Sequence, residues 1–219
     1  MATFTTKNHN FTVEAPYEQP KALPGYEHIN RYWDRTNDTY AAKILPGEYY
    51  VTMHGEIVTT VLGSCISACI RDKMLGIGGM NHFMLPHNSQ QDSWGDSTSA
   101  ARYGHYAMEI VINDILKNGG RRENLEVKLF GGGQVLAKKT NVGDSNISFV
   151  RDYIHSEGLP LVSEDLGGKY PRKVIFYPDS GRVRIKKLKT LANDTIEKRE
   201  HNYQENLDHQ PVGQSVELF

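Results

Sequence analysis

The chain has 219 residues, with 25 basic and 26 acidic side chains and a formal net charge of −1. This length predicts one domain with appendages, and the balanced charge argues against a protein that binds nucleic acid by neutralising phosphates. No stretch reaches the roughly 20 apolar residues of a membrane span, and the N-terminus lacks the basic and apolar segments of a signal peptide. We therefore expect a cytoplasmic protein that neither binds nucleic acid nor inserts into a membrane.

Polar ends flank a glycine-rich centre, and this contrast predicts the domain boundaries. Residues 1–46 predict an N-terminal arm, residues 47–190 the folded domain, and residues 191–219 a polar C-terminal tail. Because both ends carry few residues that could fill a core, we expect them to lie outside the packed domain.

Strand patterns and helix patterns are mixed in the central domain rather than strictly alternating. β-Branched and aromatic residues predict strands at 48–53, 57–62, 66–70, 77–85, 125–130, 173–177 and 183–188. Helical spacing predicts one helix that opens at 96–99 and stops at Gly119, and a second that runs from Asp144 to Gly158. This order predicts an α+β fold.

The two cysteines, Cys65 and Cys69, lie four residues apart, a loop too short to hold a fold together by a disulfide. A cytosolic chain is expected to keep both thiols reduced. If the strands around them form a hairpin with its turn centred between residues 73 and 74, Cys65 lies directly opposite His82, with Cβ atoms about 4.5–5.5 Å apart. The pattern thus predicts a thiol beside an imidazole.

A thiolate paired with an imidazolium has a lowered pKa and is a nucleophile at neutral pH. On this interpretation Gly63, Gly78 and Gly79 leave room for a substrate to approach. The alternative is structural: Cys65 fills the core as a small apolar residue, and His82 is an ordinary strand residue.

A second alternative is a zinc site. The spacing of Cys65, Cys69, His82 and His87 satisfies that of a two-Cys, two-His zinc finger. A finger carries both histidines on one helix, however, and Pro86 would break a helix immediately before His87. A zinc site of another shape stays open.

Three consecutive glycines, Gly131, Gly132 and Gly133, follow a predicted strand. They lack the Lys and Ser/Thr of a phosphate-binding P-loop. The pattern favours a tight turn or a close approach of two backbone segments.

Two segments resemble the signature of the CheD family of bacterial chemoreceptor glutamine deamidases. They are Thr59-Thr60-Val61-Leu62-Gly63-Ser64-Cys65 and Gly78-Gly79-Met80-Asn81-His82-Phe83-Met84-Leu85-Pro86. The resemblance extends over residues 47–188. It implies an α/β/β sandwich similar to the catalytic domain of the cytotoxic necrotising factor toxins.

The resemblance also implies site residues. The catalytic Cys and His of the family correspond to Cys65 and His82, and a Thr six positions before the Cys corresponds to Thr59. Strand parity places Thr59 on the face of Cys65 if no bulge intervenes. The backbone N–H groups of Gly63 and Ser64 are candidates for an oxyanion hole. No metal or organic cofactor is expected.

The implied function is a cysteine hydrolase that converts glutamine side chains in the cytoplasmic region of methyl-accepting chemoreceptors to glutamate. Receptor methylesterase activity would follow from the same acyl-enzyme. The rival interpretation is a non-catalytic binding module that docks on receptors or on a chemotaxis phosphatase of the CheC family. Because a pure adaptor needs neither a Cys–His pair nor an orienting threonine, the intact residues favour the enzyme.

Overall fold

The computed structural model describes residues 17–86, 99–135, 141–189 and 194–209. Ten strands and three α-helices lie within these residues. In chain order they are β1 (Asn30–Asp34), β2 (Thr39–Lys43), β3 (Tyr49–Thr52), β4 (Ile57–Leu62), β5 (Ile66–Asp72), β6 (Gly78–Asn81), α1 (Ser99–Lys117), β7 (Leu125–Gly131), α2 (Val142–Ser156), β8 (Leu161–Leu166), β9 (Arg172–Tyr177), β10 (Arg182–Lys187) and α3 (Asp194–His209).

The strands form two five-stranded mixed sheets. The first has the order β1–β2–β4–β9–β10, and the second has the order β3–β6–β5–β7–β8. Only the pairs β2–β4 and β7–β8 are parallel. Strand β4 therefore lies in the middle of the first sheet, and β5, which follows it after three residues, lies in the middle of the second.

The second sheet is covered on both of its faces. Residues of either parity on β5, such as Ala68 and Cys69, are fully buried. Helices α1 and α2 pack against this sheet, and residues of the first sheet, including Val58 and Phe176, belong to the same hydrophobic core. The layers are thus helices, second sheet and first sheet, which confirms the predicted α+β class. None of the helices in the described ranges is long and apolar enough to cross a bilayer.

Both predicted chain ends differ from expectation. The region predicted as an N-terminal arm contributes β1 and β2 to the first sheet, and Ile44 just beyond β2 is buried. The region predicted as a polar tail contains α3. The short strands of the first region have no clear alternation, and they are stabilised by a non-local partner, β4, that local patterns cannot reveal.

Two other elements also differ from expectation. The edge strand β8 was not predicted, because its residues are mostly exposed and its apolar residues do not alternate with the polar ones. Helix α1 is described from Ser99, so that residues 96–98 of its predicted start lie outside the described ranges. The remaining predicted strands and the second helix agree with the structure within a few residues, as expected where periodicity is strong.

A buried carboxylate connects the N-terminal hairpin to both sheets. Glu56, just before β4, is 1% exposed and accepts a hydrogen bond of 2.8 Å from Nε of Arg31 on β1. Its other oxygen accepts hydrogen bonds from Tyr50 Oη at 2.7 Å and Thr52 Oγ1 at 3.0 Å on β3. Because each partner is itself buried or half-buried, removing the carboxylate leaves polar groups without partners in the core.

Glu56→Ala is therefore expected to lower the free energy of unfolding by roughly 3–5 kcal/mol, the usual cost of breaking a buried ion pair from one side. Chemical denaturation monitored by circular dichroism measures this change. Glu27→Ala is the matched control, because Glu27 is exposed and accepts a hydrogen bond from Gly25, a residue close to it in the chain. Equal denaturation midpoints for Glu56→Ala and Glu27→Ala would contradict a stabilising role for Glu56.

Candidate active site

The segment Gly63–Cys65 carries the chain from β4 in the first sheet to β5 in the second. The glycines at 131–133 hold it from one side. Gly132 N donates to Cys65 O at 2.8 Å, and Gly133 N donates to Gly63 O at 2.7 Å. A Cβ atom on Gly131 would lie 2.0 Å from Cys65 O, so only glycine allows this approach. The predicted close backbone approach at this glycine run is confirmed.

The third carbonyl of the segment is held by Asn146 of α2. Asn146 is fully buried, and its Nδ2 donates to Ser64 O at 3.0 Å while its Oδ1 accepts from Leu85 N at 2.9 Å. All three carbonyls of residues 63–65 are therefore bound on the side of the glycine run and α2. The amide N–H groups of the same residues point into the site.

The amide groups converge on the carboxylate of Glu200 from α3. Gly63 N donates to Glu200 Oε1 at 2.8 Å, Ser64 N donates to Oε2 at 2.8 Å, and Cys65 N lies 3.4 Å from Oε1. The hydroxyl of Ser64 adds a further bond of 2.7 Å to Oε2. Three backbone N–H groups and one hydroxyl around a carboxylate form an anion-binding site.

Gly63 has no Cβ atom, and a Cβ atom at this position would close the site. A Cβ atom there would lie 2.7 Å from Glu200 Oε2 and 2.4 Å from Val135 Cγ2, so the glycine leaves room for the carboxylate. Gly78 and Gly79 were also expected to leave room for a substrate, but they instead allow the strands of the second sheet to pack closely. A Cβ atom on Gly78 would strike Arg71, and one on Gly79 would strike Tyr50 O.

His82 presents one nitrogen to the first sheet and the other to the site. Its Nδ1 lies 2.8 Å from Thr60 Oγ1, and the same hydroxyl donates to Ile44 O at 2.8 Å. A hydroxyl has one proton, so Thr60 accepts from Nδ1–H while it donates to Ile44. The unprotonated nitrogen is therefore Nε2, which is buried and has no hydrogen-bond partner. His82 is held as a neutral base with a free lone pair.

The structure brings Cys65 and His82 together, although not by the register that the sequence predicted. Strand pairs such as Cys69–Met80 and the bridge Ile66–Phe83 shift the hairpin by two residues from that register. A shift of two residues keeps every side chain on its predicted face. The Sγ atom of Cys65, a ring nitrogen of His82 and a carboxylate oxygen of Glu200 consequently lie within 4.8 Å of one another.

The expected contact between Thr59 and His82 is absent. Thr59 Oγ1 donates to Val174 O of β9 at 2.9 Å, and Thr60 is the threonine that meets the imidazole. Strand parity placed Thr59 on the face of Cys65, but the chain leaves one sheet and enters the other at residues 63–65. Because alternation holds only within one strand, it does not carry across this crossover.

The electrostatic surroundings hold both reactive groups neutral. Burial raises the pKa of the Cys65 thiol well above 9.0, and the charge of Glu200 and a hydrogen bond from the thiol to it raise it further. Burial lowers the pKa of His82 to about 3. The thiolate–imidazolium pair expected from the sequence is therefore replaced by a thiol and a neutral imidazole in this conformation.

Cys65, His82 and Glu200 are also a set of side chains that could hold a metal ion, since Zn²⁺ accepts thiolate, imidazole and carboxylate ligands. Yet the amide groups that face the Glu200 oxygens suit an anion rather than a cation. Cys69, a member of the alternative zinc pattern, is buried on β5 outside this cluster, and His87 lies outside the described ranges.

Sequence reasoning missed Glu200, Thr60 and Asn146. The signal for α3 was present but weak: Ile196, Glu200 and Tyr203 have the i, i+4, i+7 spacing of one helix face, in a segment otherwise too polar to predict packing. For Asn146 the sequence offers no signal, because its partners lie 61 and 82 residues away.

Comparison with known proteins shows which family this chain resembles. Residues 84–187 match the family model described as CheD chemotactic sensory transduction. A relative from Halorhodospira halophila is 56% identical over 203 residues, which cover 91% of this chain and 94% of the relative. A relative from Hahella chejuensis is 49% identical, covering 96% of this chain and 100% of the relative, and one from Methylobacillus flagellatus is 55% identical, covering 87% and 95%. Each of the three is named a probable chemoreceptor glutamine deamidase CheD. The chain belongs to the CheD family.

Proposed function

We propose that this protein is a cysteine hydrolase that converts glutamine side chains of chemoreceptors to glutamate with release of ammonia. The relatives' names state this activity for those proteins. The observation that carries it to this chain is the juxtaposition of the Cys65 thiol, the free Nε2 of His82 and a backbone site that binds a carboxylate. Such a site can also bind the oxygen of a carboxamide under attack.

In the first step, Cys65 Sγ attacks the carbon of the glutamine carboxamide as His82 Nε2 takes the thiol proton. The negative charge that develops on the amide oxygen lies against the N–H groups of Gly63, Ser64 and Cys65. The imidazolium then donates its proton to the departing nitrogen, and ammonia leaves. The product of this step is a thioester between Cys65 and the former glutamine.

In the second step, His82 takes a proton from a water molecule that attacks the thioester carbon and returns this proton to the departing Cys65 sulfur, which regenerates the thiol. The carboxylic acid of the product glutamate then gives its own proton to the solvent and becomes a carboxylate. A small cavity lined by Thr60, Val61 and His82 adjoins the imidazole. A receptor carboxymethyl ester would form the same thioester, and methylesterase activity is therefore part of the proposal.

Thr60 takes the orienting role that the family resemblance implied for Thr59. Its hydroxyl accepts from Nδ1–H of His82, which fixes both the ring orientation and the tautomer that leaves Nε2 free. The bond from Thr60 to Ile44 O directs the hydroxyl proton away from the ring, so that the threonine can only accept from the imidazole.

The partners follow from the reaction. The substrate is the cytoplasmic region of methyl-accepting chemoreceptors, which places the enzyme in the cytoplasm, and a phosphatase of the CheC family is a further predicted partner. The likeness of the fold to the cytotoxic necrotising factor catalytic domain also stays a prediction, supported by the layering of helices on two sheets.

Cys65→Ala is expected to abolish deamidation of a receptor cytoplasmic fragment, whereas Cys69→Ala keeps most of it, because Cys69 only fills the core beside Met80. Intact mass spectrometry of the fragment measures the change in mass when a glutamine carboxamide becomes a carboxylic acid. Circular dichroism confirms folding of both variants. Equal loss of activity in two folded variants would contradict the assignment, and inactivity of the wild type would favour the adaptor interpretation.

Thr60→Ala is expected to lower kcat by roughly tenfold, the equivalent of one lost hydrogen bond of about 1.4 kcal/mol. Thr60→Ser keeps the hydroxyl and should restore most of the rate. Thr59→Ala is the control, because its lost bond to Val174 O affects stability and not the imidazole. The measurement is the deamidation rate of each variant at the same folded fraction. A larger loss of kcat in Thr59→Ala than in Thr60→Ala would show that Thr59 is the orienting residue.

Alkylation of Cys65 by iodoacetamide should increase continuously from about pH 7 to about pH 10, because only the thiolate reacts and the pKa of Cys65 is raised well above 9.0. His82, with a pKa of about 3, stays neutral over this range and contributes no titration. Cys65→Ala identifies the labelled residue. A rate that already reaches a plateau near neutral pH would show a thiolate–imidazolium pair instead.

A further inference from the structure

Helix α3 covers the candidate active site. Tyr203 packs against the core, and its hydroxyl hydrogen-bonds to the hydroxyl of Tyr103 on α1. Gln204 Nε2 donates to Leu85 O at 3.5 Å. Toward the other end, Ile196 and Arg199 line the small cavity beside Thr60 and His82. The face of α3 that contacts the domain is thus a stripe with helical spacing, laid over the groove between α1 and the end of β4.

The stripe is unusual because its most deeply buried residue is charged. Among residues 195–207, whose side chains are described, only Glu200 is fully buried, with 2% of its surface exposed. Apolar burial normally provides the main attachment of a surface helix, and acidic residues are rarely buried without partners that compensate the charge. The hydrogen bonds that Glu200 accepts from the segment at 63–65 therefore contribute to the attachment of α3, beside the packing of Tyr203.

Those hydrogen bonds are the ones that the proposed reaction needs for its own product. A glutamate side chain is what remains after a glutamine is hydrolysed, and Glu200 is a glutamate side chain whose oxygens lie on the N–H groups of Gly63, Ser64 and Cys65. One of these oxygens is within 4.8 Å of Cys65 Sγ and of a ring nitrogen of His82. Because Glu200 lies on α3, its position shows that a side chain on a helix can reach this site.

We propose that the groove beneath α3 is the docking surface for a substrate helix that presents a glutamine, and that α3 occupies this groove as a built-in, product-like inhibitor. The proposal rests on the proposed function, because it takes the segment at 63–65 as the oxyanion hole. A substrate helix must displace α3 before Cys65 can react. The negative charge of Glu200 beside the thiol also holds Cys65 in its unreactive, protonated form, in agreement with the surroundings described above.

The first test compares Glu200→Ala with Glu205→Ala. Glu205 also lies on α3, but its side chain is 59% exposed and pairs only with His201. Glu200→Ala is expected to raise the rate of Cys65 alkylation by iodoacetamide by at least about tenfold, because the side chain that covers the thiol and the negative charge that disfavours the thiolate are both removed. Its KM for the receptor fragment should fall with kcat unchanged, as for loss of a competitor. Glu205→Ala should match the wild type in both measurements.

The outcomes separate the two proposals. An alkylation rate in Glu200→Ala equal to that of the wild type, in folded protein, overturns the inhibitory role whatever the receptor assay shows. A lower rate of deamidation in this variant, with KM unchanged, overturns it as well and makes Glu200 part of the catalytic machinery. If alkylation rises but no variant deamidates the receptor fragment, the proposed function is lost while the covering role of α3 stands.

A second variant tests the product-like position and serves if Glu200→Ala does not fold. Glu200→Gln places a carboxamide where the carboxylate lies, and the reaction described above would replace its nitrogen by an oxygen from water, with ammonia released. Mass spectrometry of the tryptic peptide should show conversion back to the acid. The double variant Cys65→Ala, Glu200→Gln should keep the amide. An amide that persists in a preparation able to deamidate the receptor fragment overturns the product-like position.

Discussion

The site depends on one backbone constraint, the capture of three consecutive carbonyl groups. Gly132, Gly133 and Asn146 donate to the carbonyl oxygens of residues 65, 63 and 64. A peptide segment held in this way presents its N–H groups to the opposite side, and three such groups at one point attract negative charge. Cys65, the proposed nucleophile, is part of the same segment, so the proposed oxyanion hole and the attacking sulfur are fixed relative to each other.

The two sheets supply the parts of the site from opposite sides. The first sheet provides Thr60, which contacts the imidazole, and the second provides β5, which begins directly after Cys65, and β6, which ends directly before His82. Since the chain crosses between the sheets at residues 63–65, the nucleophile lies at the seam where both sheets can reach it. Buried surroundings give His82 a lowered pKa and Cys65 a raised one, and these effects hold the pair neutral in this conformation.

The C-terminal helix α3 covers the candidate active site in the resting protein. The N–H groups that bind the buried carboxylate of Glu200 are also available to a ligand with the same chemistry. Competition for a single set of N–H groups then links the release of α3 to the arrival of the substrate helix. A free thiol next to an empty anion site would be open to alkylation or oxidation, and the covered site avoids this.

The sequence by itself determined the α+β class, most of the central strands and the pairing of Cys65 with His82. These follow from local periodicity and from the two-residue repeat of strands, which tolerates a register error of two without changing faces. The segment motifs around both residues also determined the family. Only the tertiary structure decided that Thr60 rather than Thr59 meets the imidazole, because the crossover between sheets at residues 63–65 interrupts strand parity. Only the tertiary structure showed the strands within 1–46, the support from Asn146 and the insertion of Glu200, because each depends on contacts between residues far apart in the chain.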